Sequence, residues 1–445
     1  ITSETGRLRH VVLHRPGLEL DYVAPSNHTA LLFDDIVHRP EACREHDVFA
    51  RLLTTLGIVV HEFADLLAHA LPQTRGNPLE WRTSETPMLD TVEGVIAAVV
   101  RGHHTLCVAD PQRRWLAGYG DRLQAALLAQ WIEKGASSLA TALIAGVPAP
   151  PDTAKWYDEA DPFLLTPAPN LLFMRDSAAI VGTRPIVSAM ALPARKRECL
   201  LTSIVFRDLF ASTGISAPWY DPFDADHSLV DTDAFTIEGG DILVIHPQII
   251  AIGVSERTSL AAALMLAERL LAPHGPCVAV YAIVMPSQRT TMHLDTIFTM
   301  ASTTECILYL PMLDLRGIER VRIFRLVREK GSVVAAPRAT LVAALEDDLR
   351  LVLADPTYTL HAIPCGGPHL IHQDREQWSD GTNVLALGPG VVVGYDRNRK
   401  TLTSLAKHGY QVVTAEAVLA NEEMSVAIRA TLDGSMPGAR AVRSA

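Results

Sequence analysis

The chain has 445 residues, of which 48% are hydrophobic and 20% are charged, and its formal net charge at pH 7 is −11. This composition is typical of a globular protein, and its acidic balance argues against non-specific binding to nucleic acid or to anionic membranes, which requires a basic surface. A small cationic ligand remains compatible with it. No apolar run approaches the roughly 18 residues of a membrane-spanning helix, and the first six residues lack the charged-then-apolar order of a signal peptide.

The cysteines of the chain show no paired spacing. There are six of them, Cys43, Cys107, Cys199, Cys277, Cys306 and Cys365. In a chain of this length, scattered cysteines indicate reduced thiols in a cytoplasmic protein, and they argue against a disulfide framework or a zinc site.

The N-terminal segment predicts a strand, a helix and a second strand. Residues 8–13 are apolar and are followed by a turn signal at Pro16-Gly17. Apolar side chains at helical spacing over residues 41–56 predict a helix that Gly57 ends, and residues 58–60 predict the next strand.

The following region differs in character. Residues 76–159 contain Ala- and Leu-rich stretches, such as 91–100 and 121–132, and Pro-rich boundaries. We interpret this region as an all-helical insertion into one α/β domain formed by residues 1–75 and 160–445.

Short strand–turn–strand units recur after residue 170. The predicted strands are 170–173 with 178–181, 242–245 with 249–252, 306–310, and 384–387 with 391–393, and predicted helices include 259–271 and 399–408. With the N-terminal unit this makes five loosely similar units, which suggests a pseudo-symmetric α/β architecture. The continuous apolar strands favour burial on both faces.

Charged residues stand next to several of these apolar strands, where an unpaired charge is costly to bury. Arg175 and Asp176 follow the first predicted strand, and on their own they are interpreted as a local ion pair that closes a β-turn. Glu238 and Asp241 flank two glycines before another strand. Here a Gly-Gly hairpin turn with solvated acids competes with a backbone that turns sharply to approach a ligand.

His293 and Asp295 lie two residues apart in a segment expected to be extended, so their side chains should face the same side. An imidazole and a carboxylate on one wall suit general acid–base chemistry near neutral pH, and the alternative is a structural hydrogen bond. Arg195 and Arg257, considered alone, are interpreted as surface charges. Taken together, the acids predict a metal-free pocket for a planar cation such as guanidinium, which carboxylates bind through two parallel hydrogen bonds.

These motifs, in this order, resemble those of the bacterial arginine deiminases of the guanidino-group-modifying (pentein) superfamily. The resemblance covers nearly the whole chain, with further matching segments at residues 6–17, 31–35, 45–47 and 375–383. It implies an α/β fold of five ββαβ blades in a pseudo-symmetric propeller with a helical insertion. It also implies hydrolysis of arginine to citrulline and ammonia through a covalent Cys-amidino intermediate. The implied partner is a small guanidine compound, with no cofactor, nucleic acid or membrane, and a homo-oligomer is left open.

The resemblance also assigns roles to individual residues. Asp176 and Asp295 would hold the guanidinium nitrogens, His293 would be the general acid and base, and Glu238 would position the substrate and stabilise charge. The substrate-binding residues would be Asn170, Arg195 and Arg257 at the amino-acid end, together with Asp241.

The sequence departs from the family near its C-terminus. The family has its nucleophilic cysteine in a glycine-rich loop there, but residues 434–443 contain no cysteine and Ala441 occupies the position. An engineered Cys-to-Ala change competes with a natural homologue that has lost the chemistry. The intact acids and histidine favour the engineered change.

Other residues bear on the substrate and on the nucleophile. Met436 stands where the family has an arginine, which suggests either a guanidine compound other than free arginine or a different way of holding the carboxylate of the substrate. Cys365 offers a relocated nucleophile, although a small buried thiol is the interpretation that its residue type favours. An amidinotransferase, in which an amine resolves the intermediate, is a further alternative.

Overall fold

The structure is a computed structural model. It describes residues 1–71, 91–108, 119–149, 162–211, 217–223, 235–313, 321–434 and 441–444, and it describes the side chains of these residues except those of 103–108, 119 and 441–444.

The N-terminal unit follows the order predicted from the sequence. Its elements are β1 (His10–Leu13), α1 (Leu18–Asp21), α2 (Arg39–Thr55), β2 (Val59–Glu62) and α3 (Phe63–Ala70). β1 and β2 are parallel, with Val11 opposite Val60. Gly57, which follows α2, has φ 77°, the left-handed conformation that glycine adopts without strain.

Helices dominate the next described part of the chain. They are α4 (Val92–Val108), α5 (Tyr119–Lys134) and α6 (Ala136–Ala145), and a short pair of strands follows, β3 (Val147–Pro148) and β4 (Phe163–Leu165). The three helices pack with α3 around one apolar cluster that includes Leu67, Ile96, Leu127 and Leu143.

The next elements build two units in which an antiparallel pair of strands precedes a helix. They are α7 (Met174–Ser177), β5 (Ala178–Val181), β6 (Arg184–Val187), α8 (Lys196–Ala211), β7 (Ile242–His246), β8 (Ile249–Val254), α9 (Leu260–Leu270) and β9 (Ala279–Val284). β9 returns parallel to β8 after α9 and completes a ββαβ unit.

A further antiparallel pair begins the third of these units. Its elements are β10 (Phe298–Met300), β11 (Glu305–Leu308), α10 (Leu310–Leu313), β12 (Arg322–Glu329), β13 (Ser332–Arg338), α11 (Leu341–Val352), β14 (His361–Pro364) and α12 (Leu370–Trp378). β14 runs parallel to β11, while β12 and β13 extend the neighbouring sheet to five strands in the order β13-β12-β9-β8-β7.

The last unit contains β15 (Leu385–Gly388), β16 (Val391–Gly394), α13 (Arg399–Lys407), β17 (Gln411–Thr414), α14 (Ala415–Ala420), α15 (Glu422–Leu432) and β18 (Ala441–Ser444). β18 lies between β16 and β17 and is parallel to both. The N-terminal unit packs against this sheet, because Leu52 and Ile58 share an apolar cluster with Val391 and Ile428.

Short turns that precede the first strands of the units place the functional residues. The 3-10 turns Gly239–Asp241 and Leu294–Thr296 lead into β7 and β10, and the helical turn α7 leads into β5. The Gly239–Asp241 turn contacts both of the others. Side chains from units that are distant in sequence therefore meet at these turns.

Residues 170–173 do not form the strand predicted from their apolar character. They lie mainly in the 3-10 helix Pro169–Leu172, in which the proline occupies an early helical position, and α7 follows directly. The neighbouring prediction of a strand at Ala178–Val181 is confirmed. None of the helices in the described part of the chain has the length and apolar character needed to span a bilayer.

Candidate active site

Two glycines allow the polypeptide to pass through the centre of the site. A Cβ on Gly239 would lie 2.1 Å from the backbone oxygen of Arg175, and a Cβ on Gly240 would lie 2.7 Å from Cγ of His293. Any side chain here would collide with the backbone of α7 or with the imidazole. The flanking Glu238 and Asp241 are fully buried, so the interpretation of solvated acids in a hairpin turn is wrong.

Glu238 orients the imidazole of His293. Nε2 of His293 lies 2.8 Å from Oε2 of Glu238, while Oε1 of Glu238 accepts a hydrogen bond from the Ala191 amide at 3.1 Å. Nδ1 of His293 then faces Asp176, whose Oδ1 lies 3.6 Å away. Burial lowers the pKa of His293, but the charges of Asp176 and Asp241 and the bond to Glu238 outweigh it and raise this pKa to about 10. At neutral pH the ring is therefore an imidazolium that donates to Glu238.

Asp241 holds the loop that carries His293. Its Oδ1 accepts from the Leu294 amide at 2.9 Å, and its Oδ2 accepts from the Ser255 hydroxyl at 2.8 Å. The carboxylate lies over Gly253, where a Cβ would come within 2.1 Å of Oδ1. Both oxygens thus bond to the protein, and the structure gives Asp241 a positioning contact.

Asp295 presents a buried carboxylate oxygen without a partner. Its side chain is buried, and Oδ1 has no hydrogen-bond partner among the described residues. The hydroxyl of Thr382 holds the backbone oxygen of Asp295 at 3.0 Å. Burial raises the pKa of the Asp295 carboxyl to about 7, although the positive charges of His293 and Arg175 oppose the shift. A buried acceptor of this kind is costly unless a donor reaches it.

Asp176 lies on the other side of the imidazole. Nη1 of Arg195 donates to its Oδ2 at 2.5 Å, and the Ser188 hydroxyl donates to its backbone oxygen at 2.6 Å. Burial raises the pKa of Asp176, but the positive charges of His293 and Arg195 outweigh burial and hold it below its usual range. Asp176 is therefore ionised in the presence of a protonated His293.

Arg175 does not pair with the adjacent Asp176, so the interpretation as a local ion pair is wrong. Its Nη1 and Nη2 instead donate to the carboxylate of Glu4 at 3.1 and 3.2 Å, and its Nε donates to the backbone oxygen of Gly239 at 3.2 Å. Arg175 thereby ties the N-terminal segment to the central glycine turn.

The interpretation of the two other arginines as surface charges is also wrong, because Arg195 is 3% and Arg257 is 4% exposed. Arg195 pairs with Glu198 at 2.8 Å as well as with Asp176. Nη1 of Arg257 lies 3.8 Å from Oε2 of Glu238. Both cations thus lie beside the carboxylates of the site.

Asn170 connects Arg195 to a loop of the N-terminal unit. Its side-chain amide donates to the backbone oxygen of Leu31 at 2.7 Å, and its own backbone oxygen accepts from Nη2 of Arg195 at 3.1 Å. The loop that contains Leu31 is thereby fixed next to the site.

Ala441 begins β18, where its backbone is in register with Val391 on one side and Gln411 on the other. Its side chain lies outside the described part of the chain, and so do residues 435–440, which include Met436. Cys365 is fully buried, and burial raises the pKa of its thiol to about 12. The structure supports the interpretation of Cys365 as an inert core thiol.

The site therefore brings together Asp176, Glu238 and His293, with Asp295 nearby in the turn that follows His293. In the described ranges, no cluster of three or more His, Cys, Asp or Glu side chains has the geometry of a metal site. The sequence interpretation missed Glu198 and Thr382. Glu198 could have been found from its spacing, because it lies three residues after Arg195 at the start of a predictable helix, where such residues are neighbours.

Comparisons with known proteins identify the family of the chain. A family model described as arginine deiminase matches residues 29–418. The arginine deiminase of Bacillus cereus (strain B4264) is 33% identical over 419 residues, which cover 93% of this chain and 92% of the relative. The arginine deiminase of Listeria welshimeri is 31% identical over 422 residues, with coverage of 93% and 92%.

Solved structures with similarity to the chain include a DDAH from Pseudomonas aeruginosa in complex with citrulline. Its TM-score is 0.43 and its sequence identity is 10%, and the match covers 92% of this chain and 91% of that chain. An amidinotransferase from Microseira wollei, from the saxitoxin biosynthetic pathway, has a TM-score of 0.42, 12% identity and coverage of 93% and 90%. The family-model match and the two sequence relatives each span most of the chain, and they show that it belongs to the arginine deiminase family, whose members are guanidine-modifying hydrolases.

Proposed function

We propose that this chain binds the guanidinium group of arginine, or of a related guanidine compound, between Asp176 and Asp295. The observation that carries the proposal is the buried Oδ1 of Asp295, which has no hydrogen-bond partner in the described part of the chain. A guanidinium presents N–H groups in a plane and satisfies carboxylates on two sides at once. Its charge would also compensate the acids that crowd this turn region.

The remaining residues suit the deiminase reaction. A thiolate at position 441 would attack the guanidinium carbon, and His293 would give a proton to the departing ammonia. His293, now neutral, would take one proton from the water that attacks the covalent amidino carbon. Collapse of the resulting tetrahedral species would release citrulline and restore the thiolate, and its hydroxyl proton would pass to solvent. Glu238 would keep the imidazole aligned throughout, through the bond at 2.8 Å.

Position 441 carries alanine, so we propose that the chain binds its ligand without hydrolysing it. Cys365 does not replace the missing thiol, because its sulfur lies in the core and accepts from the Thr401 hydroxyl at 3.5 Å. A thiol with a pKa of about 12 is almost entirely un-ionised at neutral pH.

Asn170 and Arg257 remain assigned to the amino-acid end of the ligand. The burial of Arg257 supports this assignment, because a buried cation near the site suits a carboxylate ligand. Arg195 donates to Glu198, to Asp176 and to the backbone oxygen of Asn170, so we assign it to the wall that holds Asp176 and not to the ligand carboxylate. Met436 occupies the family position of a further arginine, which favours either a guanidine compound other than free arginine or a different way of holding its carboxylate.

At the level of the fold, we propose five ββαβ blades with a helical insertion at residues 76–159. The parallel return of β2, β9, β14 and β18 onto earlier strands supports the repeat. The proposed location is the cytoplasm, and the proposed partner is a small guanidine molecule, with homo-oligomer formation left to experiment.

Replacing Ala441 by cysteine tests the proposal. The restored protein should release citrulline and ammonia from arginine in equal amounts, while the unaltered chain should bind arginine without product. Arginine binding without turnover by the restored protein would indicate a natural binding homologue. Transfer of the amidino group to an added amine, with no citrulline formed, would indicate an amidinotransferase.

A further inference from the structure

Glu198 is a fully buried acid to which the proposed reaction gives no role. It lies in the first turn of α8, three residues after Arg195. Its Oε2 accepts from Nε of Arg195 at 3.0 Å and from Nη2 of Arg195 at 2.8 Å. Oε1 of Glu198 also accepts from Nε of Arg195, at 3.3 Å, so the carboxylate engages the Nε–Nη2 edge of the guanidinium and restricts its orientation.

Arg195 extends from this pair toward the site. Nη1 donates to Oδ2 of Asp176 at 2.5 Å, and Nη2 also donates to the backbone oxygen of Asn170 at 3.1 Å. These bonds, with those to Glu198, engage four of the five N–H groups of the guanidinium. One edge of Arg195 is therefore held by Glu198, and the opposite end holds Asp176.

We propose that Glu198 is a positioning residue that fixes Arg195 in the wall of the site and, through Arg195, keeps the carboxylate of Asp176 aligned to receive a guanidinium. This inference rests on the proposed function. Arg195 is flexible when unpaired, because its side chain has many rotamers, and the buried pair removes that freedom. Without Glu198, Arg195 would be a buried cation with a single carboxylate partner. Its guanidinium could then rotate and direct both terminal nitrogens to Asp176.

Arginine and agmatine, which is arginine without its carboxylate, distinguish the two ends of the ligand. In Glu198→Gln, calorimetry should show affinity for both compounds reduced by roughly tenfold or more, because Asp176 faces the guanidinium that both share. A loss confined to arginine would overturn the inference by placing Glu198 at the carboxylate end. Unchanged affinity for both would overturn it as well.

A double-mutant cycle with Arg195→Lys separates positioning from general stability. If Glu198 acts through Arg195, Glu198→Gln should cost little further affinity in the Arg195→Lys background, and additive losses would contradict the inference. Asp348→Asn is the control, because Asp348 forms a two-bond pair with Arg325 away from the site, at 2.7 Å for both bonds, although Arg325 is more exposed than Arg195. This control should lower thermal stability but leave the affinity for both compounds unchanged.

Two further outcomes keep the test decisive. If Glu198→Gln fails to fold, Glu198→Asp takes its place, because it keeps the carboxylate but shortens the side chain. It should show the same parallel loss of affinity for arginine and agmatine, and an unchanged affinity for both would overturn the inference. If the unaltered chain binds neither arginine nor agmatine, the proposed function itself fails, and this result is visible before any variant is made.

Discussion

Asp295 is the residue on which ligand binding depends most directly, because its buried Oδ1 has no partner in the described part of the chain. Asp295→Asn replaces a charged acceptor by a neutral amide of the same shape. We expect arginine affinity to fall by roughly ten- to hundredfold, since a hydrogen bond to a charged group would be lost in a desolvated site. Isothermal calorimetry measures this loss. Asp396→Asn, on the surface, is the control and should leave the affinity for arginine unchanged. An arginine affinity that is unchanged in Asp295→Asn would place the guanidinium elsewhere.

The pKa of Asp295 also sets a pH dependence. With its pKa at about 7, Asp295 is protonated in the empty site below neutral pH and must lose a proton to bind a cation. His293, with a pKa of about 10, and Asp176, with a lowered pKa, do not titrate near pH 7, whereas burial raises the pKa of Asp241 to about 6 and that of Glu198 to about 7. Asp241 and Glu198 already bond to protein groups, so Asp295, with its unpartnered Oδ1, is the acid that the ligand meets directly. Arginine affinity should therefore be full at pH 8 and decline toward pH 6, with proton release on binding.

Calorimetry in buffers of different ionisation enthalpy counts these protons. The decline between pH 8 and pH 6 should be smaller in Asp295→Asn, and what remains of it should come from Asp241 and Glu198. An arginine affinity independent of pH in the unaltered chain would contradict the assignment of Asp295 as the titrating partner.

Much of the site was predictable at the level of single residues. Asp176, Glu238, His293 and Asp295 stand out because each charge adjoins apolar sequence. Their partners were harder to predict, because the bond between Arg175 and Glu4 spans 171 residues of chain. The burial of Arg195 and Arg257 was not predictable from their local sequence, since both lie in polar stretches typical of a surface.

The Gly239–Asp241 turn is the element that holds the site together. In Gly240→Ala, the new methyl group would overlap the His293 ring, with only 2.7 Å to Cγ. We expect this variant to lose about 1–3 kcal/mol of stability, a typical cost of overpacking, and to bind arginine more weakly because the imidazole must move. Chemical denaturation and calorimetry measure the two effects.

Gly102→Ala is the matched control. Gly102 lies in α4, and a Cβ there meets nothing within 4 Å. This variant should gain about 0.5–1 kcal/mol of stability, because alanine is the better helix former, without any change in affinity. Equal effects of the two variants would show that the close approach at Gly240 has no role.

The connection between β1 and α1 gives a prediction about stability. Nδ1 and Nε2 of His14 lie 3.1 Å from Glu62 and from Glu19, respectively. Burial lowers the pKa of His14, but the two glutamates outweigh it and raise the pKa to about 9. Because this exceeds the ordinary value of about 6.5, the stabilisation is complete below pH 6.5 and is lost as the pH rises through about 9.

Denaturant unfolding between pH 6 and pH 10 tests this dependence. The free energy of unfolding should fall across that window in the unaltered chain by an amount that His14→Gln removes. His361→Gln, at an exposed position of β14, is the control and should retain the decline. Retention of the full decline in His14→Gln would contradict the role of this buried pair.

Helices and strands were predicted correctly where the apolar pattern was long and a glycine or proline marked its end. The helix Arg39–Thr55 was predictable because its apolar period is sustained and Gly57 follows it. The run at 170–173 has too few residues for its period to distinguish a strand from a helical turn, and Pro169 favours the turn. His293 and Asp295 likewise lie at a 3-10 turn, so the same-side argument for an extended segment did not apply.

At the scale of the whole molecule, the site depends on units that are far apart in sequence. The amide of Leu8 donates to the backbone oxygen of Leu387 at 2.9 Å, and the amide of Glu4 donates to that of Val244 at 2.7 Å. The N-terminal segment therefore links the first unit to the sheets that begin at β7 and β15. The sequence predicted repeated units, but no local pattern specifies which units become neighbours, because that depends on packing across the whole chain.

The central claim is that buried carboxylates recognise a guanidinium, and titration of the unaltered chain with arginine at pH 8 tests it most directly. We expect one arginine to bind per chain, with no release of ammonia. Norleucine has an apolar side chain in place of the guanidinium, and we expect it not to bind. Failure to bind arginine, or equal binding of norleucine, would contradict the account.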